Sequence, residues 1–247
     1  MEFNQNAGVI YLIPTVIAPA TINNVITPQI VEIISSVDYY LVENIRTARR
    51  YISELKNGYD NLDLPKPISE LTFVELSKQT SQEQVSGYLE KIIEGRNAGI
   101  ISEAGCPGIA DPGALAVDHA HKMGIRVVPL VGPSSILLAL MASGFSGQSF
   151  AFHGYLPIPS DEKIKSLKYL EAESHKRKQT QIFMETPYRN EKLLKDILVN
   201  LNPSTRLCIA KDITGPDEVI ITKTVKEWKS IDISLHKIPA IFMIYVY

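Results

Sequence analysis

The sequence has few cysteines, no long apolar run and little net charge, and each shortage excludes a class of protein. Its two cysteines, Cys106 and Cys208, have no CxxC or Cys/His spacing, which argues against a disulfide framework or a zinc site in these 247 residues. No apolar run approaches the roughly 20 residues that span a bilayer. The formal net charge of −2 argues against a non-specific grip on nucleic acid, which needs many basic contacts.

Signals for targeting and for nucleotide binding are also missing. The first residues, Met1–Gly8, are polar and do not read as a signal peptide, so we expect a cytoplasmic protein. Neither GxGxxG nor GxxxxGK[ST] occurs, which disfavours the nucleotide-binding classes that those motifs mark.

Short apolar runs alternate with helical spacing through the first half, as is typical of a parallel, doubly wound sheet. The predicted strands are Gly8–Pro14, Tyr39–Glu43, Ile68–Phe73, Ala98–Ser102 and Arg126–Leu130. The predicted helices are Pro28–Ser36, Asn44–Leu55, Ser81–Glu94 and Ala114–Met123, and Thr15–Thr27 is predicted to be a loop.

The alternation of strands and helices changes after Gly132. In this second half, Val219–Thr222 follows Ala210 closely enough to pair as an antiparallel strand. The other predicted strands here are Phe150–His153, Thr180–Met184, Arg206–Ala210 and Ala240–Tyr245, with helices at Ser134–Ala142, Ser160–Ser174 (Ser160 as N-cap), Arg189–Asn200 and Lys226–Lys229. We therefore predict an α/β protein of two domains, residues 1–131 with a parallel sheet and residues 132–247 with a mixed sheet.

The loop Ser102–Gly113, S-E-A-G-C-P-G-I-A-D-P-G, is the most constrained stretch of the chain. Glycine permits positive φ and close backbone approach, whereas proline fixes φ and removes a donor. A tight strand–helix connection is the alternative, but such a connection needs neither of the two Pro-Gly steps. The pattern favours a loop that cradles a ligand.

Two further loops follow predicted strands, Ile13–Thr15 and Val128–Ser135 (V-P-L-V-G-P-S-S). Either one alone reads as an ordinary turn, the second with a serine N-cap. Because the carboxyl ends of parallel strands share one edge, we expect all three loops to outline one cleft.

Four segments, in order, resemble a branch of the tetrapyrrole methylase superfamily, the small-subunit ribosomal RNA (cytidine) 2′-O-methyltransferases. Ser102–Gly113 is similar to S-D-A-G-T-P-G-I-S-D-P-G, and V-P-L-V-G-P-S-S to V-P-L-P-G-P-S-A. Phe152–Pro157 (F-H-G-Y-L-P) resembles F-x-G-F-L-P, and Met184–Arg189 (M-E-T-P-Y-R) resembles Y-E-S-P-H-R.

The resemblance implies a homodimer of two α/β/α domains that binds S-adenosyl-L-methionine in the cleft between them and methylates a ribose of ribosomal RNA. It implies cofactor contacts at Pro14, Thr15, Cys106, Ile109, Ser134, Ser135, Met184 and Ala210. Cys106 is then a small loop residue and not a nucleophile.

Four segments depart from that branch: Pro14–Ala20 lacks a glycine, Val42–Arg46 has Asn44 where the branch has Asp, Phe73–Ser77 lacks a histidine, and Lys211–Gly215 (K-D-I-T-G) stands where the branch has R-E-L-T-K. These segments would face the acceptor more than the cofactor. A tetrapyrrole or other small-molecule acceptor, and a non-catalytic cofactor-binding protein, therefore stay open as alternatives.

A ribose hydroxyl is a poor nucleophile until its proton is removed or polarised. The candidates are Glu43 and Glu185 as proton acceptors, with Arg46, Arg189 and Lys211 positioning phosphates or hydroxyls. Each carboxylate could instead cap a helix or form an ion pair. Asp111 is predicted to be a turn residue. Arg46, Arg49 and Arg50 share a helix face that is predicted to face RNA. His175–Lys178 could also contact an RNA backbone, but the cluster is interpreted as a solvated helix end. His119, His121 and His153 are interpreted as surface or core residues and not as metal ligands.

Overall fold

The computed structural model describes residues 4–247, so the first three residues of the polar start Met1–Gly8 lie outside the described range. Contacts divide the chain into two compact units, Met1–Ser134 and Ser135–Tyr247, a division a few residues beyond the predicted boundary. Both cysteine thiols are free. Among residues 4–247, no helix combines the length and apolarity needed to cross a membrane.

The first unit is a five-stranded, all-parallel sheet in the order β3-β2-β4-β1-β5. Its strands are β1 Val9–Leu12, β2 Tyr39–Val42, β3 Thr72–Glu75, β4 Ala98–Ile101 and β5 Arg126–Pro129. Its helices are α1 Ile22–Val25, α2 Pro28–Ile34, α3 Ile45–Gly58, α4 Gln82–Ile93 and α5 Gly113–Lys122.

Helices cover both faces of this sheet. Side chains of α2 and α3, such as Ile30 and Ile52, belong to one buried cluster, and side chains of α4 and α5, such as Leu89 and Ala120, belong to another. A side-chain cap fixes where α3 begins: the Asn44 carboxamide oxygen accepts the backbone N–H groups of Arg46 and Thr47. The predicted parallel α/β layer is confirmed.

The second unit is a mixed five-stranded sheet in the order β6-β7-β10-β8-β9, in which only β6 and β7 run parallel. Its strands are β6 Phe150–Tyr155, β7 Thr180–Met184, β8 Arg206–Lys211, β9 Val219–Thr224 and β10 Ala240–Tyr245. Its helices are α6 Ser135–Ser143, α7 Ser160–Arg177, α8 Asn190–Asn200 and α9 Val225–Trp228. The predicted mixed sheet and the antiparallel β8–β9 pair are confirmed.

Three local predictions are wrong. The predicted loop Thr15–Thr27 contains the one-turn helix α1, which is too short to show a helical period. The third strand is Thr72–Glu75 and not Ile68–Phe73, because Pro67 opens a turn in which the Glu70 N–H donates to the Pro67 carbonyl at 2.8 Å. Ser160 is the first residue of α7, whose N-cap is Pro159.

Candidate functional site

Three loops of the first unit meet at the carboxyl edge of its sheet, because β1 lies between β4 and β5. The Thr15 N–H donates to the Gly105 carbonyl at 2.9 Å. The Cys106 thiol lies 3.4 Å from the Pro133 carbonyl oxygen. A Cβ on Gly132 would lie 2.2 Å from the Cβ of Pro14, so glycine alone permits this approach. The three loops predicted to outline one cleft are therefore in direct contact.

The carboxylate of Asp111 organises the longest of these loops. It accepts the N–H groups of Gly108 at 2.8 Å, Ile109 at 3.1 Å and Gly113 at 2.7 Å. Gly108 itself has a φ of 86°. With three donors satisfied by one side chain, Asp111 is a turn residue, as predicted, and not a base.

A cavity of about 620 Å³ opens beside this loop. Its volume lies in the range of small-molecule sites, and its lining is mostly apolar. The residues that line it are Leu12, Pro14, Cys106, Pro107, Gly108, Ile109, Ala114, Val117, Asp118, His121, Pro129 and Leu130. Three of the predicted cofactor contacts, Pro14, Cys106 and Ile109, are brought together here.

Helix α5 supplies a wall that the sequence reasoning did not assign. Ala114, Val117 and His121 recur at helical spacing and face the cavity. That spacing was the available signal, since a ligand loop that runs into a helix places one helical face beside the ligand.

Thr15 faces a different space from Pro14, since successive residues of an extended chain point to opposite sides. It lines a small cavity of about 60 Å³ together with Thr47 and Glu103. Its hydroxyl is buried and has no hydrogen-bond partner within the described residues. Tyr51, on α3, fixes this turn by donating its hydroxyl hydrogen to the Pro14 carbonyl at 2.8 Å.

The thiol of Cys106 is half-buried, and burial raises its pKa above the ordinary value of 9.0. At neutral pH it is therefore protonated, and a protonated thiol is a poor nucleophile. This agrees with the prediction of a small packing residue in the loop.

Glu43 follows β2 and accepts the Glu103 N–H at 3.1 Å. Burial raises the pKa of its carboxyl above the usual value, and the hydrogen bond only partly opposes that rise. Arg46, the second residue of α3, is exposed. Of its two basic neighbours, Arg49 stacks over the ring of Phe73 and Arg50 pairs with Glu54 on the same helix.

In the second unit, two predicted cofactor contacts share one row of the sheet. Ile241 of β10 lies opposite both Met184 of β7 and Ala210 of β8. Helix α6, which begins at Ser135, packs into the same apolar cluster through Ala139. Ser134, the last residue of the first unit, directly precedes that helix.

Glu185 follows Met184, and its side chain is fully buried against Arg189, with 2.6 Å between the Oε1 and a guanidinium nitrogen. Burial alone would raise the pKa of this carboxyl. Hydrogen bonds from Arg189 and from the Thr186 N–H outweigh burial and hold the pKa below the usual value. Glu185 is therefore placed to anchor Arg189 more than to accept a proton.

Lys211 ends β8, and its ammonium donates to the Ser234 carbonyl at 3.3 Å.

Comparison with known proteins agrees with this architecture. Residues 23–229 match the family model of Tetrapyrrole (Corrin/Porphyrin) Methylases. The chain is 32% identical over 218 residues to "Ribosomal RNA small subunit methyltransferase I" of Vibrio cholerae, covering 87% of this chain and 68% of that one. It is 31% identical over 217 residues to the protein of the same name from Escherichia coli O157:H7, covering 88% and 69%.

Two solved structures show the same fold at low sequence identity. The methyltransferase CobJ matches with a TM-score of 0.60 at 14% identity, over 97% of this chain and 94% of that one. A uroporphyrin-III C-methyltransferase from Thermus thermophilus, complexed with S-adenosylhomocysteine, matches with a TM-score of 0.51 at 13% identity, over 96% and 97%. By the family match, by relatives above 30% identity and by its two sheets, this chain belongs to the tetrapyrrole methylase family.

Proposed function

We propose that the protein is an S-adenosyl-L-methionine-dependent methyltransferase that methylates a ribose 2′-hydroxyl in small-subunit ribosomal RNA. The observation that carries the proposal is the 620 Å³ cavity walled by three mutually bonded loops, in a chain about 30% identical to small-subunit ribosomal RNA methyltransferases. Ribosomal RNA is proposed as the acceptor because those relatives are named as ribosomal RNA methyltransferases.

The cavity fits such a cofactor by its chemistry. It offers apolar walls and loop backbone, and the Gly108 position leaves open space, since a Cβ there would meet nothing within 4 Å. Pro14, Cys106 and Ile109 would hold the group, with Ser134, Ser135, Met184 and Ala210 as further proposed contacts. Thr15, which lines the separate small cavity, is not proposed as a side-chain contact of the group. When bound, the cofactor supplies an electrophilic methyl group on sulfonium.

The chain's own residues would handle the acceptor. Glu43, whose carboxyl pKa is raised by burial, is the better proton acceptor. Glu185 holds Arg189 in place, and Arg189, Arg46 and Lys211 would position phosphates.

We also propose a homodimer in the cytoplasm. Leu137 and Met141, one turn apart on α6, are 51% and 79% exposed and offer an apolar strip to a second copy.

Transfer of a tritiated methyl group to small ribosomal subunits from a strain lacking the enzyme tests the proposal. We expect label in the RNA, and about 100-fold less of it per unit time with Glu43→Gln, because proton removal contributes about that much. Glu70→Gln, at an exposed position away from the loops, is the matched control and should retain full activity.

Calorimetry with S-adenosylmethionine separates the alternatives. Tight binding without label in the RNA would favour a tetrapyrrole or other small-molecule acceptor. Failure to bind either S-adenosylmethionine or S-adenosylhomocysteine would overturn the assignment of the cavity as well.

A further inference from the structure

Two tyrosines at the carboxyl ends of β6 and β7 are exposed and have no role in the function proposed above. Tyr155 ends β6 and is 54% exposed, and Tyr188, in the loop after β7, is 73% exposed. Tyr155 lies opposite Met184 in the sheet register. Tyr155 lies in the segment F-H-G-Y-L-P, and Tyr188 lies in the segment M-E-T-P-Y-R.

A β-bulge sets the direction of Tyr155. The register between β6 and β7 shifts between Phe152 and Tyr155, and Gly154 has a φ of 64°. Bulges re-aim the side chains that follow them. A Cβ on Gly154 would meet nothing within 4 Å, so the glycine is needed for the backbone conformation and not for packing.

Two cations accompany the tyrosines. The Lys237 ammonium lies 5.9 Å from the centre of the Tyr188 ring, and the Lys237 N–H donates to the Pro187 carbonyl at 3.1 Å. The pKa of Arg189 is raised, chiefly by its hydrogen bond to Glu185 and further by the nearby Tyr155. The Arg189 side chain is 35% exposed, so part of its guanidinium still reaches solvent.

A buried carboxylate fixes the position of the Arg189 guanidinium. Its partner Glu185 is fully buried and accepts from Arg189 and from the Thr186 N–H through Oε1, whereas Oε2 has no hydrogen-bond partner in residues 4–247. The Arg189 Nε is likewise buried without a partner there. A guanidinium fixed on one side by a buried carboxylate is pre-organised to present its remaining N–H groups to an anion.

We propose that Tyr155, Tyr188, Arg189 and Lys237 form a platform that binds a single-stranded segment of the acceptor RNA. Unpaired bases stack on the tyrosine rings, while the cations contact the flanking phosphates. Unpaired segments are the form of RNA whose bases can be splayed out and stacked on aromatic side chains. This platform presupposes the ribosomal RNA acceptor proposed above.

Fluorescence anisotropy with a labelled single-stranded oligoribonucleotide of about 12 nucleotides, and with the same sequence as a duplex, tests the platform. We expect Tyr188→Ala to weaken single-strand binding about tenfold and the Tyr155→Ala/Tyr188→Ala variant to weaken it further. Tyr188→Phe keeps the ring and should bind like the wild type. The matched control is Tyr169→Ala on α7, which removes an equally exposed tyrosine, 61% accessible, and should leave binding unchanged.

Calorimetry with S-adenosylmethionine should give the same affinity for all these variants, which also reports that they are folded. Wild-type binding by Tyr188→Ala and by the double variant overturns the platform and leaves the methyltransferase assignment intact. Equal losses for duplex and single strand overturn base stacking. A wild-type protein that binds cofactor but neither form of RNA overturns the platform together with the ribosomal RNA acceptor.

Discussion

Glu43 and Glu185 each follow a strand directly, yet their surroundings move the two carboxyl pKa values in opposite directions. Burial dominates at Glu43 and raises its pKa. At Glu185, burial is outweighed by the hydrogen bonds from Arg189 and Thr186, and the pKa falls. The first carboxyl is thereby prepared to take up a proton, and the second to stay charged and hold a cation.

Opposite pKa shifts predict opposite pH dependences of stability. The folded state disfavours ionised Glu43, so its contribution is present below the usual pKa of 4.5 and is lost as pH rises through the raised value. The folded state favours ionised Glu185. The contribution of Glu185 to stability is therefore present above pH 4.5 and is lost as pH falls through the lowered pKa of its carboxyl. Compared with the wild type at neutral pH, Glu43→Gln should melt at or above the wild-type temperature and Glu185→Gln below it.

Thermal denaturation followed from about pH 8 down to about pH 3 measures both differences. The Glu43 difference should shrink as pH falls toward 4.5, and the Glu185 difference should shrink only below 4.5. Shifts of the same sign in the two variants would contradict the assigned causes.

Single residues were predictable where local chemistry decides their role. Asp111 stands between Ala110 and Pro112 in a glycine-rich loop, and its role as a turn residue is confirmed by three N–H contacts. The Cys106 side chain, predicted to pack within its loop, is half-buried with its thiol 3.4 Å from the Pro133 carbonyl oxygen. The direction of Thr15, into a separate small cavity, depends on the path of the chain after β1, which no residue pattern specifies.

Among the elements, the three ligand loops depend on close backbone contact more than on any side chain. Gly132 packs against Pro14 so closely that an added methyl group has no room. We therefore expect Gly132→Ala to destabilise the protein by about 1–3 kcal/mol, as overpacking does, and to weaken cofactor binding by displacing the loop.

Urea denaturation and calorimetry with S-adenosylmethionine measure those two effects. Gly147→Ala is the control, because a Cβ on Gly147 meets nothing within 4 Å and no positive φ is required. If both variants bind the cofactor like the wild type, contact between these loops is unnecessary for the site.

Elements with a clear sequence pattern were predicted well, and elements defined by tertiary contacts were not. The strand Thr180–Met184 and the strand Ala240–Tyr245 have the predicted bounds, because buried central strands read as continuous apolar runs. The third strand was misplaced because its start is set by pairing, through the bond from the Thr72 N–H to the Asp38 carbonyl.

Over the whole molecule, the formal charge of −2 limits how the protein can bind RNA. We propose four cationic phosphate contacts, Arg46, Arg189, Lys211 and Lys237. Each contact with a single strand contributes about 0.7 to the salt slope, so the logarithm of affinity should fall with the logarithm of salt concentration at a slope of about −3 or shallower.

Anisotropy titrations at several salt concentrations give that slope. Lys211→Ala should make the slope shallower by about 0.7, whereas Lys229→Ala, at the exposed residue that follows α9, should not change it. A slope much steeper than −3 would mean that further basic residues contact the RNA.

The place of β1 in its sheet has a consequence for synthesis. This strand, the first in the chain, pairs only with β4 and β5, whose residues begin some 85 positions later. At about 5–20 residues per second, the ribosome needs roughly 4 to 17 s to deliver the first of those partners. Until then the apolar run Val9–Leu12 has no strand to pair with, so the nascent chain depends on slow, non-local pairing to complete the ligand loops.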